Sequence, residues 1–247
     1  LMRAAWVTAL KWPAVLALEL KKMIPVTKTD REKKRLKRSC SKCSGEGCGT
    51  CLSAITRLDK YAQSNIPVEY WKMSFKDYSG DPNFKNLIKD RIKNIDKLYD
   101  DGKSFMFTGG LGTGKTYMAC CILKRAVISG YSGLYTTMAD VVANMLSKEM
   151  DTSKYYKELL SQDFLIIDEF SSHWIFPSDK SEQIFGSSLE YVLRTRFQNG
   201  LPTILCSNDE DVDQIFGGFF AKSFRSLRTH HVELFVIGGK DFRRKNA

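Results

Sequence analysis

The sequence predicts an α/β fold in which a parallel sheet is covered on both faces by helices, and three observations carry that expectation. The octet Gly109-Gly110-Leu111-Gly112-Thr113-Gly114-Lys115-Thr116 follows a short apolar run and precedes a helical one. From residue 103 onward, apolar segments of strand length alternate with segments of helix length, the order that builds parallel sheets. A later apolar run ends in Asp168-Glu169, two carboxylates at the end of a strand, where open α/β sheets bind their ligands.

The elements follow in order. Phe84, Leu87, Ile88, Ile92, Ile95 and Leu98 recur at spacings of three and four, which predicts one amphipathic helix over 84–99 that stops at Asp100-Asp101-Gly102. Residues 103–108 read as a short buried strand feeding the glycines, and 117–126 as the helix leaving them. A strand is predicted over 133–137, then helical segments over 139–148 and 153–160. The apolar strand 163–168 comes next, then a helix over 188–198 and a strand over 202–208.

The octet is a Gly, four variable residues, then Gly-Lys-Thr, the pattern of a phosphate-binding loop. Gly109, Gly110, Gly112 and Gly114, with Leu111 and Thr113 between them, let backbone amides turn toward phosphate oxygens without a Cβ in the way. The following helix directs its positive end at the same anion. Lys115 is expected to reach the β and γ phosphates of ATP, and Thr116 to offer a hydroxyl to Mg²⁺. Asp168 is placed to hold the Mg²⁺ shell and Glu169 to orient the attacking water, alternate strand residues facing different ways. Asn208 ends the last predicted strand, where its amide is expected to contact the γ-phosphate or the water; an ordinary turn residue is the alternative.

Charge is unevenly placed. The net charge is +10, yet residues 1–60 hold 14 Lys/Arg against 5 Asp/Glu. That asymmetry points to a polyanion or an acidic protein surface as partner of the N-terminal part, although the basic run 28–38 reads equally well as a solvated helical face. Lys11 and Glu19 interrupt the first apolar stretch, and no run approaches the ~20 apolar residues of a spanning helix. Residues 1–22 are expected to be a non-native or flexible leader, with Met23 the natural start. Residues 23–60, with cysteines at 40, 43, 48 and 51, are expected to form the basic segment and zinc-binding module, 61–102 a linker and amphipathic helix, and 103–247 the nucleotide-binding core. A cytoplasmic location is expected.

Cys40, Cys43, Cys48 and Cys51 form two Cys-x-x-Cys pairs separated by four residues. Such pairs close a tetrahedral thiolate site for structural Zn²⁺; a disulfide framework and an iron–sulfur cluster are the rivals. Cys120, Cys121 and Cys206 fall in core elements and read as packing.

The ordered set Gly109 to Thr116, Asp168-Glu169 and Ser207-Asn208 resembles the AAA+ ATPases. Closer still, the chain resembles the DnaC/DnaI-type helicase loaders, a group similar to the IstB transposition ATPases. Residues 65–71, 112–116, 196–203 with Ser207-Asn208, and 239–243 carry the resemblance. It implies a P-loop NTPase of AAA+ type, a sensor arginine at Arg243 and an arginine finger at Arg225, with Arg228 close behind. A finger donated across a subunit boundary implies self-association into an AAA+ oligomer. No full C-terminal lid domain is expected after Arg243.

The resemblance further implies a loader of a replicative DnaB-type helicase onto single-stranded DNA, from a phage or bacterium. Lys154-Tyr155-Tyr156-Lys157 is either a grip on that strand or plain amphipathic helix surface. Two other readings stay open: an IstB-like ATPase partner of a transposase, and a zinc-containing DNA-binding adaptor with a non-hydrolytic nucleotide site.

Overall fold

The computed structural model describes residues 30–37, 40–43, 47–146, 152–171, 179–209, 218–239 and 241. The leader expected at 1–22 and the sensor expected at Arg243 lie outside these residues. The chain divides into two compact units between Trp71 and Lys72.

In the first unit, residues 30–37 are helical and helix α1 spans Gly49–Gln63. Lys33 forms an ion pair with Asp59 of α1. Beyond α1 the chain turns back, and the Trp71 indole N–H donates to the Ile66 carbonyl at 2.8 Å. Tyr61, Ile66 and Trp71 are all buried there.

The second unit is built on five strands, β1 (Ser104–Thr108), β2 (Gly133–Thr137), β3 (Phe164–Asp168), β4 (Thr203–Ser207) and β5 (Val232–Val236). They lie in the order β2-β3-β4-β1-β5, and every pairing is parallel. Helices α2 (Pro82–Arg91), α3 (Ile95–Asp100), α4 (Lys115–Ser129), α5 (Met138–Leu146), α6 (Thr152–Ser161), α7 (Asp179–Gln198) and α8 (Gly218–His231) complete it. Strands β1, β3 and β4 are buried along their whole length, as expected of parallel strands covered on both sides.

Alternation along the strands sorts two cores. Phe107 of β1 meets Phe84 of α2 edge-on, and Phe105 and Phe107 both meet Phe235 of β5 edge-on, with centroids 5.0 to 5.7 Å apart. Met106, Leu165, Ile167 and Leu205 point the other way, into a cluster with residues of α5, α6, α7 and α8. Arg196 of α7, fully buried, locks that side. Its guanidinium donates to the carbonyls of Leu159 and Gln162 at 2.7 and 2.8 Å, to Pro202 at 3.1 Å and to the Thr203 hydroxyl at 2.9 Å. Those partners immediately precede β3 and begin β4, so one side chain sets the entry of two strands.

Three expectations change. The single helix over 84–99 is two helices, because the Asn94 side chain accepts the Lys97 N–H at 3.0 Å and starts a new helix where apolar spacing alone reads through. The helix before β4 begins at Asp179, nine residues ahead of its predicted start. Strand β5 adds an element that the sequence does not signal: α8 passes into it with no turn residue between, and it is an edge strand with Val236 68% exposed, so neither punctuation nor burial marks it.

Candidate nucleotide-binding site

The order of strands creates the site. β4 lies between β1, which feeds the glycine loop, and β3, which carries the carboxylates. The C-terminal ends of all three therefore converge, and Thr108 pairs in register with Ser207. Gly109, Gly112 and Gly114 adopt φ of 141°, 74° and 91°. At Gly109 a Cβ would run into the Ile237 carbonyl, and at Gly114 into the ring of Tyr78, so both positions need glycine for space as well as for torsion.

The loop closes on Lys115, which is 6% exposed. Its ammonium donates to the carbonyls of Gly109 and Gly110, each at 2.7 Å, and lies 3.4 Å from the Thr113 hydroxyl. That holds a positive charge across the mouth of the loop, at the N-terminus of α4. Leu111, at the tip, is 63% exposed.

Across the site, Asp168 is the last residue of β3 and is 7% exposed. Its Oδ1 accepts from the Thr116 hydroxyl at 3.2 Å and from the Glu169 N–H at 3.0 Å, and its Oδ2 accepts from the Tyr135 hydroxyl at 2.8 Å. Burial beside the Asp168 carboxylate pushes the Tyr135 phenol up, so it remains a donor. Glu169 then turns outward with φ of 54°, a left-handed conformation that costs a non-glycine residue roughly 1 kcal/mol or more. The Phe170 N–H anchors the turn on the Cys206 carbonyl at 2.7 Å, and the Phe170 ring is fully buried. The two carboxylates thus diverge because of this turn, with one buried and one exposed, and not through strand alternation alone.

Asn208 follows β4 as an exposed residue beside the loop strand. Arg225 is exposed on α8, between the buried Phe224 and Leu227. Tyr155 and Tyr156 are both partly buried with their rings against the apolar cluster, and the Tyr155 hydroxyl lies 3.3 Å from that of Thr136, the pattern of an amphipathic helix surface. Tyr156 and the 57% exposed Tyr191 keep their rings 6.4 Å apart beside exposed Lys154 and Lys157.

Residues outside the motifs complete the site. Tyr135 holds the buried carboxylate, Tyr78 touches the loop, and the Asp241 side chain meets Gly112. Only the apolar context of β2 in the sequence hinted at the first, Asp241 lies within the 239–243 stretch that carries the resemblance, and nothing signalled Tyr78.

In the first unit, the sulfurs of Cys40, Cys43, Cys48 and Cys51 lie within 4.8 Å of one another. Neighbouring sulfurs are 3.5 to 3.8 Å apart. A tetrahedral ion with Zn–S bonds near 2.3 Å requires S···S separations of about 3.8 Å. The Gly47 N–H donates to the Cys43 sulfur at 3.3 Å, and the Cys51 N–H holds the Cys48 thiol below its usual range. All four are free thiols, as are Cys120, Cys121 and Cys206, which are buried in the core as expected.

Among the described residues, no helix is long and apolar enough to cross a membrane. Comparison with known proteins bears on the loop unit. The chain is 31% identical over 113 residues to the replicative helicase loader DnaC of Buchnera aphidicola, covering 43% of this chain and 46% of that protein. It is 26% identical over 160 residues to an insertion-sequence IS21-like ATP-binding protein of Bacteroides fragilis, covering 63% of this chain and 56% of that one. The chain thus spans about half the length of these relatives. By structure it resembles DnaI (TM-score 0.57, 18% identity, 71% of this chain and 93% of that one) and the DnaC helicase loader (0.55, 20%, 70% and 100%), a likeness of fold. The family model for IstB-like ATP binding proteins matches residues 91–247, and the chain belongs to that family.

Proposed function

We propose that this protein is an ATPase that loads a replicative DnaB-type helicase onto single-stranded DNA. The observation that supports ATP chemistry most directly is the apposition of Thr116 and Asp168 at 3.2 Å, beside a lysine-closed glycine loop and an outward-turned Glu169. The helicase-loading role is supported by the DnaC relative.

The loop amides and Lys115 bind the β and γ phosphates. The Thr116 hydroxyl and Asp168 carboxylate are hard oxygen donors on one side of the loop, a set suited to Mg²⁺. Held by these two residues, Mg²⁺ would supply positive charge to balance what develops on the phosphoryl oxygens. Glu169, exposed and fixed by its strained turn, orients water for attack, and Asn208 flanks the same point. Arg225 of a neighbouring copy, presented on α8, neutralises charge on the transferred group, and Arg243 does so within its own subunit. The reaction is one of positioning and electrostatics, with nucleotide state acting as a release switch for the helicase.

The four-cysteine cluster holds structural Zn²⁺, and its basic surroundings suit an acidic helicase surface. Single-stranded DNA runs past Tyr156 and Tyr191, with Lys154 and Lys157 at its phosphates.

The IS21-type relative, which aligns over more of the chain, favours a second reading in which the client is a transposase. One experiment separates them. Turnover is measured with and without single-stranded DNA for the wild type and Glu169→Gln, alongside capture of a DnaB-type helicase or a transposase in ATP and in ADP. Loading predicts helicase capture and a loss of at least about a hundredfold in turnover for Glu169→Gln with nucleotide binding retained. Transposase capture alone would reverse the assignment of client, and absent turnover in the wild type would leave an adaptor with a non-hydrolytic site.

A further inference from the structure

Residues 73–78, just after the boundary between the two units, are fastened to the nucleotide loop and its helix at three points. The buried Lys124 of α4 donates to the Met73 carbonyl. The Tyr117 hydroxyl, also on α4, donates to the Ser74 carbonyl at 2.7 Å. The third contact runs the other way, the Tyr78 hydroxyl donating to the Thr113 carbonyl of the loop at 3.0 Å.

Tyr78 is 6% exposed and rigidly housed. Its ring lies 5.7 Å from that of Tyr117 and 6.2 Å from that of Phe84, and it covers Gly114 closely enough to exclude a Cβ. A Ser74/Asp77 capping box and the Lys85 ammonium, 2.8 Å from the Tyr78 carbonyl, fix the backbone that carries it. Helix α4 makes its first backbone bond from Met118 to the Gly114 carbonyl, so the Thr113 carbonyl lies ahead of the helical ladder. Tyr78 supplies its donor.

That bond has a directional consequence. In a planar trans peptide the carbonyl and the following N–H point in opposite directions. Holding the Thr113 carbonyl outward against Tyr78 turns the Gly114 N–H inward, toward the concavity that receives phosphate. We propose that Tyr78 is the positioning residue of the phosphate loop, fixing the Thr113–Gly114 peptide so that its N–H meets the diphosphate of the nucleotide. This rests on the nucleotide-binding reading of the loop. It assigns Tyr78 to the diphosphate and not to the base.

The test uses the full chain, with labelled ADP titrated directly and inorganic pyrophosphate measured by competition. Tyr78→Phe keeps the ring and removes the bond. It should weaken ADP and pyrophosphate alike, by about three- to tenfold, the span of one hydrogen bond. In turnover assays the KM for ATP should rise by a similar factor while kcat changes less than about twofold. Tyr117→Phe is the matched control, because it removes a hydroxyl from the same fastening without touching the loop, and it should leave both affinities within about twofold. Unchanged affinities in folded Tyr78→Phe overturn the proposal, as does weakened ADP with unaltered pyrophosphate, or an equal loss in Tyr117→Phe. Should Tyr78→Phe fail to fold, hydrogen exchange of the Gly114 amide in the wild type decides: strong slowing on pyrophosphate binding supports the contact, and none overturns it. A wild type that binds neither ligand overturns the nucleotide reading itself, an outcome distinct from all of these.

Discussion

Replacing Arg196 by Met tests how the two strands that frame the site are held. Methionine fills much of the volume, and the guanidinium's acceptors lose their donor. Pro202 keeps the Leu165 N–H at 3.1 Å, and the Thr203 hydroxyl still donates to Leu201 at 3.1 Å. The Leu159 and Gln162 carbonyls, at 2.7 and 2.8 Å from the guanidinium, bear the loss. Two unsatisfied buried acceptors cost about 1–3 kcal/mol each, so the gross penalty is about 2–6 kcal/mol. Against this stands relief of a buried cation, whose burial lowers the Arg196 pKa to about 10. A net loss of about 3 kcal/mol is expected, a large share of the roughly 5–15 kcal/mol that stabilises a domain. For a unit of this size that lowers Tm by about 6–12 °C. Urea denaturation at neutral pH with thermal melting checks the figure, and folded Arg196→Met should still bind nucleotide because β1 and its loop do not rest on Arg196. A melting temperature within about 2 °C of wild type would refute the reasoning, since it would mean the carbonyls find other donors at no cost.

Other outcomes follow from particular contacts. Tyr135→Phe removes a donor from the Asp168 carboxylate, and the Mg²⁺ concentration needed for half-maximal nucleotide binding should rise about tenfold, read by titrating Mg²⁺ at fixed labelled ADP. Metal analysis should find one Zn²⁺ per chain, and chelation should unfold the segment around Cys40 to Cys51 while nucleotide binding persists; Cys48→Ser should lose the metal. Burial pushes the Tyr78 and Tyr117 phenols up to about 12. Above the ordinary phenol value of about 10 the unfolded chain ionises while the native one holds its protons, so their contribution is complete below that pH and is lost as pH rises from about 10 to about 12. Urea midpoints across that window should fall, and fall less steeply in Tyr117→Phe.

The placement of the loop, Asp168 and Glu169 was legible because a glycine run between an apolar strand and a helix, and carboxylates closing an apolar run, are consecutive residues that fall at strand ends. The sheet was legible because β1, β3 and β4 are apolar runs of the right length between helices. Tyr78 and Tyr135 were hidden for the opposite reason: each acts on a residue more than 30 positions away, through register and packing that one-dimensional spacing does not encode. Arg196 could be quoted within a recognisable stretch, yet its role as a donor to the Leu159, Gln162 and Pro202 carbonyls and the Thr203 hydroxyl depends on where the end of α6 and the start of β4 meet. The stretch Lys154 to Lys157 stayed ambiguous because a Tyr-Tyr pair flanked by lysines looks the same in sequence whether its rings serve a ligand or half-cover a core.

The central claim is that a nucleoside triphosphate seats against Lys115. Equilibrium titration of folded protein with labelled ATP and Mg²⁺ tests it most directly. The wild type should show saturable uptake of one nucleotide per chain, weakened at least about tenfold by Lys115→Ala. Folded wild-type protein that takes up no nucleotide, or a Lys115→Ala variant that binds as tightly, would contradict it.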